Sequence, residues 1–142
     1  MTSFAPKSLS DLPSQLPIFP LSSALLMPHG QLPLNIFEPR YLAMVDYALA
    51  QDRLIGMMQP RNLNEPMGEA EVFKVGCAGR ISALSETRDG RYHITLTGVC
   101  RFTYLNDVTT SAGYRVAQVD FAPFADDLAD ALADGSTGDE AH

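Results

Sequence analysis

Cysteine and lysine are both scarce in this chain, and no excess of positive charge is present. The two cysteines, Cys77 and Cys100, are too few for a disulfide framework and fit a reducing compartment. Seventeen acidic residues against ten basic ones give a net charge of −7. Non-specific nucleic-acid binding draws most of its affinity from phosphate contacts, which need the opposite balance. No apolar run approaches the roughly 20 residues that span a bilayer, so no membrane partner is expected. Nor does an apolar stretch of signal-peptide length follow Met1, and the expected location is the cytoplasm. A phosphate-cradling G-x-x-x-x-G-K-[ST] is missing, so ATPase chemistry is excluded. His29, His93 and His142 are scattered and neither cysteine has a C-x-x-C neighbour, so no metal site and no cofactor is expected.

What the chain does have is enough apolar material for one core: 46% hydrophobic residues within 142. Six acids (Asp126, Asp127, Asp130, Asp134, Asp139, Glu140) follow Phe121 with no Lys or Arg among them, so the acidity belongs to the tail. Residues 1–15 read as a loose arm, 16–124 as the domain, and 125–142 as a short helix over 125–133 with an acidic disordered end. Leu16 to Leu21 is an apolar run with two prolines, which lack a donor and suit an edge strand. Leu32 to Phe37 alternates Leu32, Leu34 and Ile36 on one side. Pro39 then opens a helix with Tyr41, Leu42, Val45, Ala48 and Leu49 on one face. Leu54 to Gln59 is a third strand, Arg61 to Glu69 a polar loop, and Tyr114 to Phe121 a last strand.

Two long runs between Val72 and Tyr104 meet at Thr87-Arg88-Asp89-Gly90, and Asp-Gly signals a two-residue hairpin turn. That turn sets Arg88 opposite Arg91. It places Phe73, Val75, Cys77, Gly79, Ile81 and Ala83 in one inward set with Ile94, Leu96, Cys100, Phe102 and Tyr104. His93, Thr95, Thr97, Val99, Arg101 and Thr103 form the outward set. Gly76, Gly79 and Gly98 mark bulges or bends, so the ribbon curves into a small, partly closed barrel. On that register Cys77 and Cys100 are inward diagonal neighbours about 7–8 Å apart, beyond easy disulfide reach. They read as buried thiols acting as small hydrophobes, ahead of a disulfide or metal pair.

Several of these stretches together resemble the N-terminal, substrate-recognition domain of Lon proteases. They are Leu16-Pro17-Ile18-Phe19-Pro20-Leu21, Leu32 to Tyr41 with its Phe37-Glu38-Pro39-Arg40, Val75 to Ile81, Gly98 to Phe102, and Tyr114 to Ala117. The resemblance implies an α+β fold dominated by β structure: a PUA-like β pseudobarrel with one helix after the second strand and a short C-terminal helix. It implies a non-catalytic module that binds unfolded or tagged polypeptides, alone or beside a protease or chaperone. Family members add a helical extension after the last strand, and Leu128 to Ala133 is where it would begin. Ser111-Ala112-Gly113 echoes the family's peptidase serine, but no lysine after Lys74 is present as its base, so Ser111 reads as a turn residue and no catalytic residue is expected.

Candidate peptide contacts follow from residue chemistry. Met57, Met58 and Met67 offer adaptable apolar surface, although core packing is the better reading for at least one of the adjacent pair, because successive strand residues face opposite ways. Strand edges near Leu34 and Leu54 accept an extended peptide. Glu38 and Arg40 flank the helix start, either as a partner-recognition pair or in structural roles, Glu38 at the positive helix end and Arg40 tying the helix down. The alternative function is RNA binding through an arginine strip of Arg80, Arg88, Arg91 and Arg101. Interleaved Glu86 and Asp89 and the lack of an aromatic ladder make a solvated sheet face the better reading.

Overall fold

The computed structural model describes residues 8–61 and 71–128, so the loop that carries Met67 and the chain from Ala129 onward lie outside the description. Six strands and one helix follow in the order β1 (Gln15–Pro20), β2 (Gln31–Ile36), α1 (Pro39–Ala50), β3 (Leu54–Met58), β4 (Val75–Glu86), β5 (Tyr92–Thr109) and β6 (Arg115–Asp120). Short 3-10 turns stand at Leu9–Asp11 and Ala122–Phe124, and residues 126–128 are helical. The strand order is β2-β5-β4-β3-β1-β6, and an additional β5–β6 pairing joins the end of the row back to its second member. The result is a ring of β5, β4, β3, β1 and β6, with β2 attached outside it along β5. β5 makes this possible by its length, because Tyr92 to Thr97 pair with β2 and Thr103 to Thr109 with β6.

β1 is an interior strand, not the edge that its prolines suggest. It lies between β3 (parallel, Ile18 to Pro20) and β6 (antiparallel, Gln15 to Ile18). The Val119 N–H donates to Ser14 O at 3.0 Å, which turns the backbone groups of even residues toward β6 and those of odd ones toward β3. Pro17 would therefore have aimed a donor at β3 one residue before that pairing starts. Pro20 would have aimed one at β6 two residues after that pairing ends. Each missing N–H falls where there is no strand to receive it.

The β4–β5 hairpin exists, but its turn holds three residues rather than two. Thr87 N–H donates to Arg91 O (2.9 Å) and Gly90 N–H to Thr87 O (3.2 Å), with Gly90 at φ +83°. This is a type I turn closed by a left-handed glycine. One extra residue exchanges the faces of β4 relative to β5. Cys77 pairs with Arg101, Ala78 with Cys100 and Val75 with Thr103, so Phe73 and Val75 are exposed and do not join the inward set. Bulges at Ala78/Gly79 and Ile81/Ala83 shift the register locally, which returns Ile81 to its expected place opposite Leu96 and leaves Ala83 exposed. On β5 all four of Ile94, Leu96, Cys100 and Phe102 are buried, but not as one inward set: the bulge at Val99 sends Ile94 and Leu96 to one core cluster and Cys100 and Phe102 to the other. The thiols likewise project to opposite faces of the ribbon, in separate core clusters.

One cluster fills the ring with Leu16, Ile18, Met58, Ala78, Cys100, Phe102, Ala117 and Val119, closed by Phe121 and Leu128. Gly76 is obligatory here, because a Cβ would stand 2.7 Å from Phe102 Cζ. The other lies under α1, whose Tyr41, Met44, Val45 and Ala48 bury against Phe19, Ile55, Met57, Ile81 and Leu96.

Candidate functional site

β3 is flanked by β1 and β4, and all five of its residues are buried. Leu54, 3% exposed, therefore offers no edge, which corrects the expectation that it would accept a peptide. Met57 and Met58 are buried as well, in line with core packing for at least one of the pair. They nevertheless form the floor of a shallow cleft, with Gly76 and Cys77 beside them.

The loop from Ala24 to Met27 supplies one wall. Leu26 is its anchor, 3% exposed and packed against Gly79, so its neighbours Leu25 (68%) and Met27 (53%) point outward. Gln59 Nε2 donates to Ala24 O at 2.6 Å, and His29 N–H donates to Gly98 O at 2.9 Å, so the loop is tied at both ends. Gly98 has no side chain because the Met27 carbonyl lies directly over it. Val75, 47% exposed, also lines the cleft. Two residues before it in the chain, exposed Phe73 has the Arg61 guanidinium 5.8 Å from its ring centroid. The cleft measures about 130 Å³ and is mainly apolar.

Among the described residues, its one charged lining residue is neutralised. Arg101 Nε and Nη2 donate to the Asp127 carboxylate at 3.0 and 2.8 Å, the Arg101 backbone N–H adds a bond of 2.9 Å, and the guanidinium stacks on Phe124. Those hydrogen bonds hold the Asp127 carboxyl below the ordinary carboxylate range. Cys77 in the floor is pushed up to about 12 by burial, with Asp127 adding to the effect, so its thiol stays protonated and un-nucleophilic. The cleft is thus built to take apolar groups, and it holds no activated nucleophile.

The remaining candidates are dispersed. Leu34 is half-buried on β2, away from the methionines, beside a second cleft bordered by Phe37 and Tyr41. Arg40 Nη2 lies 3.2 Å from Glu38 Oε1, its guanidinium covers the Tyr41 ring, and its stem packs on Gly113. The arginine strip is partly neutralised: Arg91 pairs with Asp89 at 3.2 Å and Arg101 with Asp127. Ser111 lies in the turn between β5 and β6. Among the described residues no group of three or more His, Cys, Asp or Glu side chains is placed to hold a metal ion, and no helix is long and apolar enough to cross a membrane. Leu25, Met27 and Val75 escape sequence reading. The first two are a short apolar run in a loop without periodicity, and Val75 was displaced by the turn length.

The described residues form a closed β ring that carries an apolar surface cleft. The family model for the substrate-binding domain of the ATP-dependent protease La (LON) matches residues 15–136, and the chain belongs to that family. "Lon protease 2" of Myxococcus xanthus is 32% identical over 123 residues, covering 84% of this chain. "Lon protease" of Anaeromyxobacter dehalogenans (strain 2CP-C) is 31% identical over 102 residues, covering 71%. The chain spans only 15% and 12% of the length of these two relatives. Among solved structures, the Lon N-terminal domain protein from Xanthomonas campestris superposes with a TM-score of 0.61 at 27% identity, covering 75% of this chain and 59% of that one. The N-terminal domain of Mycobacterium avium complex Lon protease reaches 0.58 at 13% identity, covering 75% and 54%, and shares the fold. The family corresponds to the substrate-binding part of Lon, not its catalytic part.

Proposed function

We propose that the chain captures unfolded polypeptides through the apolar cleft between Leu25-Leu26-Met27 and Val75, and presents them to a protease or chaperone. The observation that carries this reading is the cleft itself: exposed Leu25, Met27 and Val75 gather around a methionine floor in a member of the Lon substrate-binding family. Methionine floors adapt to varied side chains, which suits substrates that share only their exposed apolar residues. Burying one such side chain contributes about 1.5–3 kcal/mol, against a comparable cost of ordering the bound chain. An affinity of tens of micromolar, about −6 kcal/mol, therefore takes several such contacts along the bound segment. The test is fluorescence anisotropy with a permanently unfolded, carboxymethylated model protein and its native form as control. Wild type should bind the unfolded form alone, and Leu25→Asp with Val75→Asp should weaken binding by about tenfold or more. Equal binding of both forms, or unchanged affinity in the double variant, contradicts the assignment.

A further inference from the structure

Among the described residues β2 is the strand with a neighbour on one side alone. The Gly98 N–H donates to Gly30 O at 2.8 Å, which sets the phase of the ladder. Leu32, Leu34 and Ile36 turn their backbone groups to β5, and Gln31, Pro33 and Asn35 turn theirs away. These three residues are exposed, and the outward N–H groups of Gln31 and Asn35 and the C=O groups of all three have no partner among the described residues, Pro33 having no N–H to offer. Residues two apart along a strand repeat about every 6.7 Å, a spacing that an extended main chain matches. A cleft of about 290 Å³ follows this edge, bordered by the consecutive residues Pro33 to Phe37 and closed by Phe19, Leu21 and Tyr41.

We propose that an extended segment of an unfolded polypeptide adds to β2 as a further strand and seats an apolar side chain in this cleft. The inference rests on the polypeptide-binding reading and adds main-chain recognition to it. Free backbone groups along an edge are met by another extended backbone, and a folded protein has few to offer because its own are already paired. A second copy of this chain fits less well. A two-fold axis centred on Pro33 would place two prolines face to face, with no donor between them. An unrelated segment carries no such constraint.

The experiment compares an alternating apolar–polar decapeptide with a twin N-methylated at every interior residue, which keeps the side chains and removes the donors. Wild type should bind the twin at least about tenfold more weakly. Asn35→Pro should lose the same factor toward the unmethylated peptide and nothing further toward the twin. The variant is expected to fold, because the Asn35 N–H is not used in the sheet and Pro33 already occupies the same phase. Circular dichroism checks this. Equal affinity for both peptides, or unchanged binding by a folded Asn35→Pro, overturns the proposal. If binding ignores methylation but falls with Leu25→Asp, strand addition is wrong and the apolar-cleft reading stands. If neither peptide binds, both readings fall. A dimer that Asn35→Pro disperses assigns the edge to a second copy, and that also overturns the proposal.

Discussion

At the scale of single residues, the least satisfied group among those described is the Tyr41 hydroxyl, buried without a hydrogen-bond partner. Burial also raises the pKa of that phenol, so it stays a neutral hydroxyl. The residue is retained for its ring, which packs 4.3 Å from Phe19 between centroids and carries the Arg40 guanidinium on its face. An unmet buried polar group costs about 1–3 kcal/mol, so Tyr41→Phe should raise the unfolding free energy by about 1 kcal/mol. Urea unfolding followed by circular dichroism measures this, and a loss of stability would show that the hydroxyl is bonded. Nothing in the sequence distinguishes Tyr41 from an ordinary core tyrosine, because the defect lies in what surrounds it.

At the scale of elements, the helix and the strands were legible where one periodicity decides the matter. Pro39 opens α1 as its first residue, and Ile94 with Leu96, then Cys100 with Phe102, alternate into buried faces on either side of the β5 bulge. Register was less legible, since Arg88-Asp89-Gly90 and Asp89-Gly90 are both acceptable loops and differ by one residue. That single residue moved Val75 to the surface and parted the two thiols. The prolines of β1 misled for a related reason: their cost depends on which neighbours lie opposite, and no local pattern carries that information. The C-terminal residues are held by Asp127, whose carboxylate accepts three hydrogen bonds from Arg101. Its folded pKa lies below the unfolded value, so the bond stabilises fully above about pH 4 and is lost as pH falls through the folded value. Asp127→Asn should cost about 2 kcal/mol at neutral pH, less than a fully buried pair because Arg101 is half exposed. The deficit should shrink as pH is lowered below 4. A deficit that is constant down to pH 2 would contradict this clasp.

For the whole molecule, a closed five-stranded ring explains why this chain can present mobile-looking apolar surface without losing its core. Of the methionines at the cleft floor, Met58 is fixed by the ring core and Met57 by the cluster under α1, and the Leu25 wall is tied by Gln59 and Gly98. Family and fold were legible because the matching stretches run in order along most of the chain. The cleft was not, because it joins a loop, a buried strand and a strand end that lie far apart in sequence. Chemical-shift mapping tests the central claim most directly: an isotope-labelled chain is titrated with a permanently unfolded polypeptide. The account predicts that amide shifts concentrate at Leu25 to Met27 and Val75 to Cys77, with a second group along β2 from Gln31 to Phe37. Shifts confined to the far β5–β6 turn around Ser111, or none at saturating concentration, would contradict it.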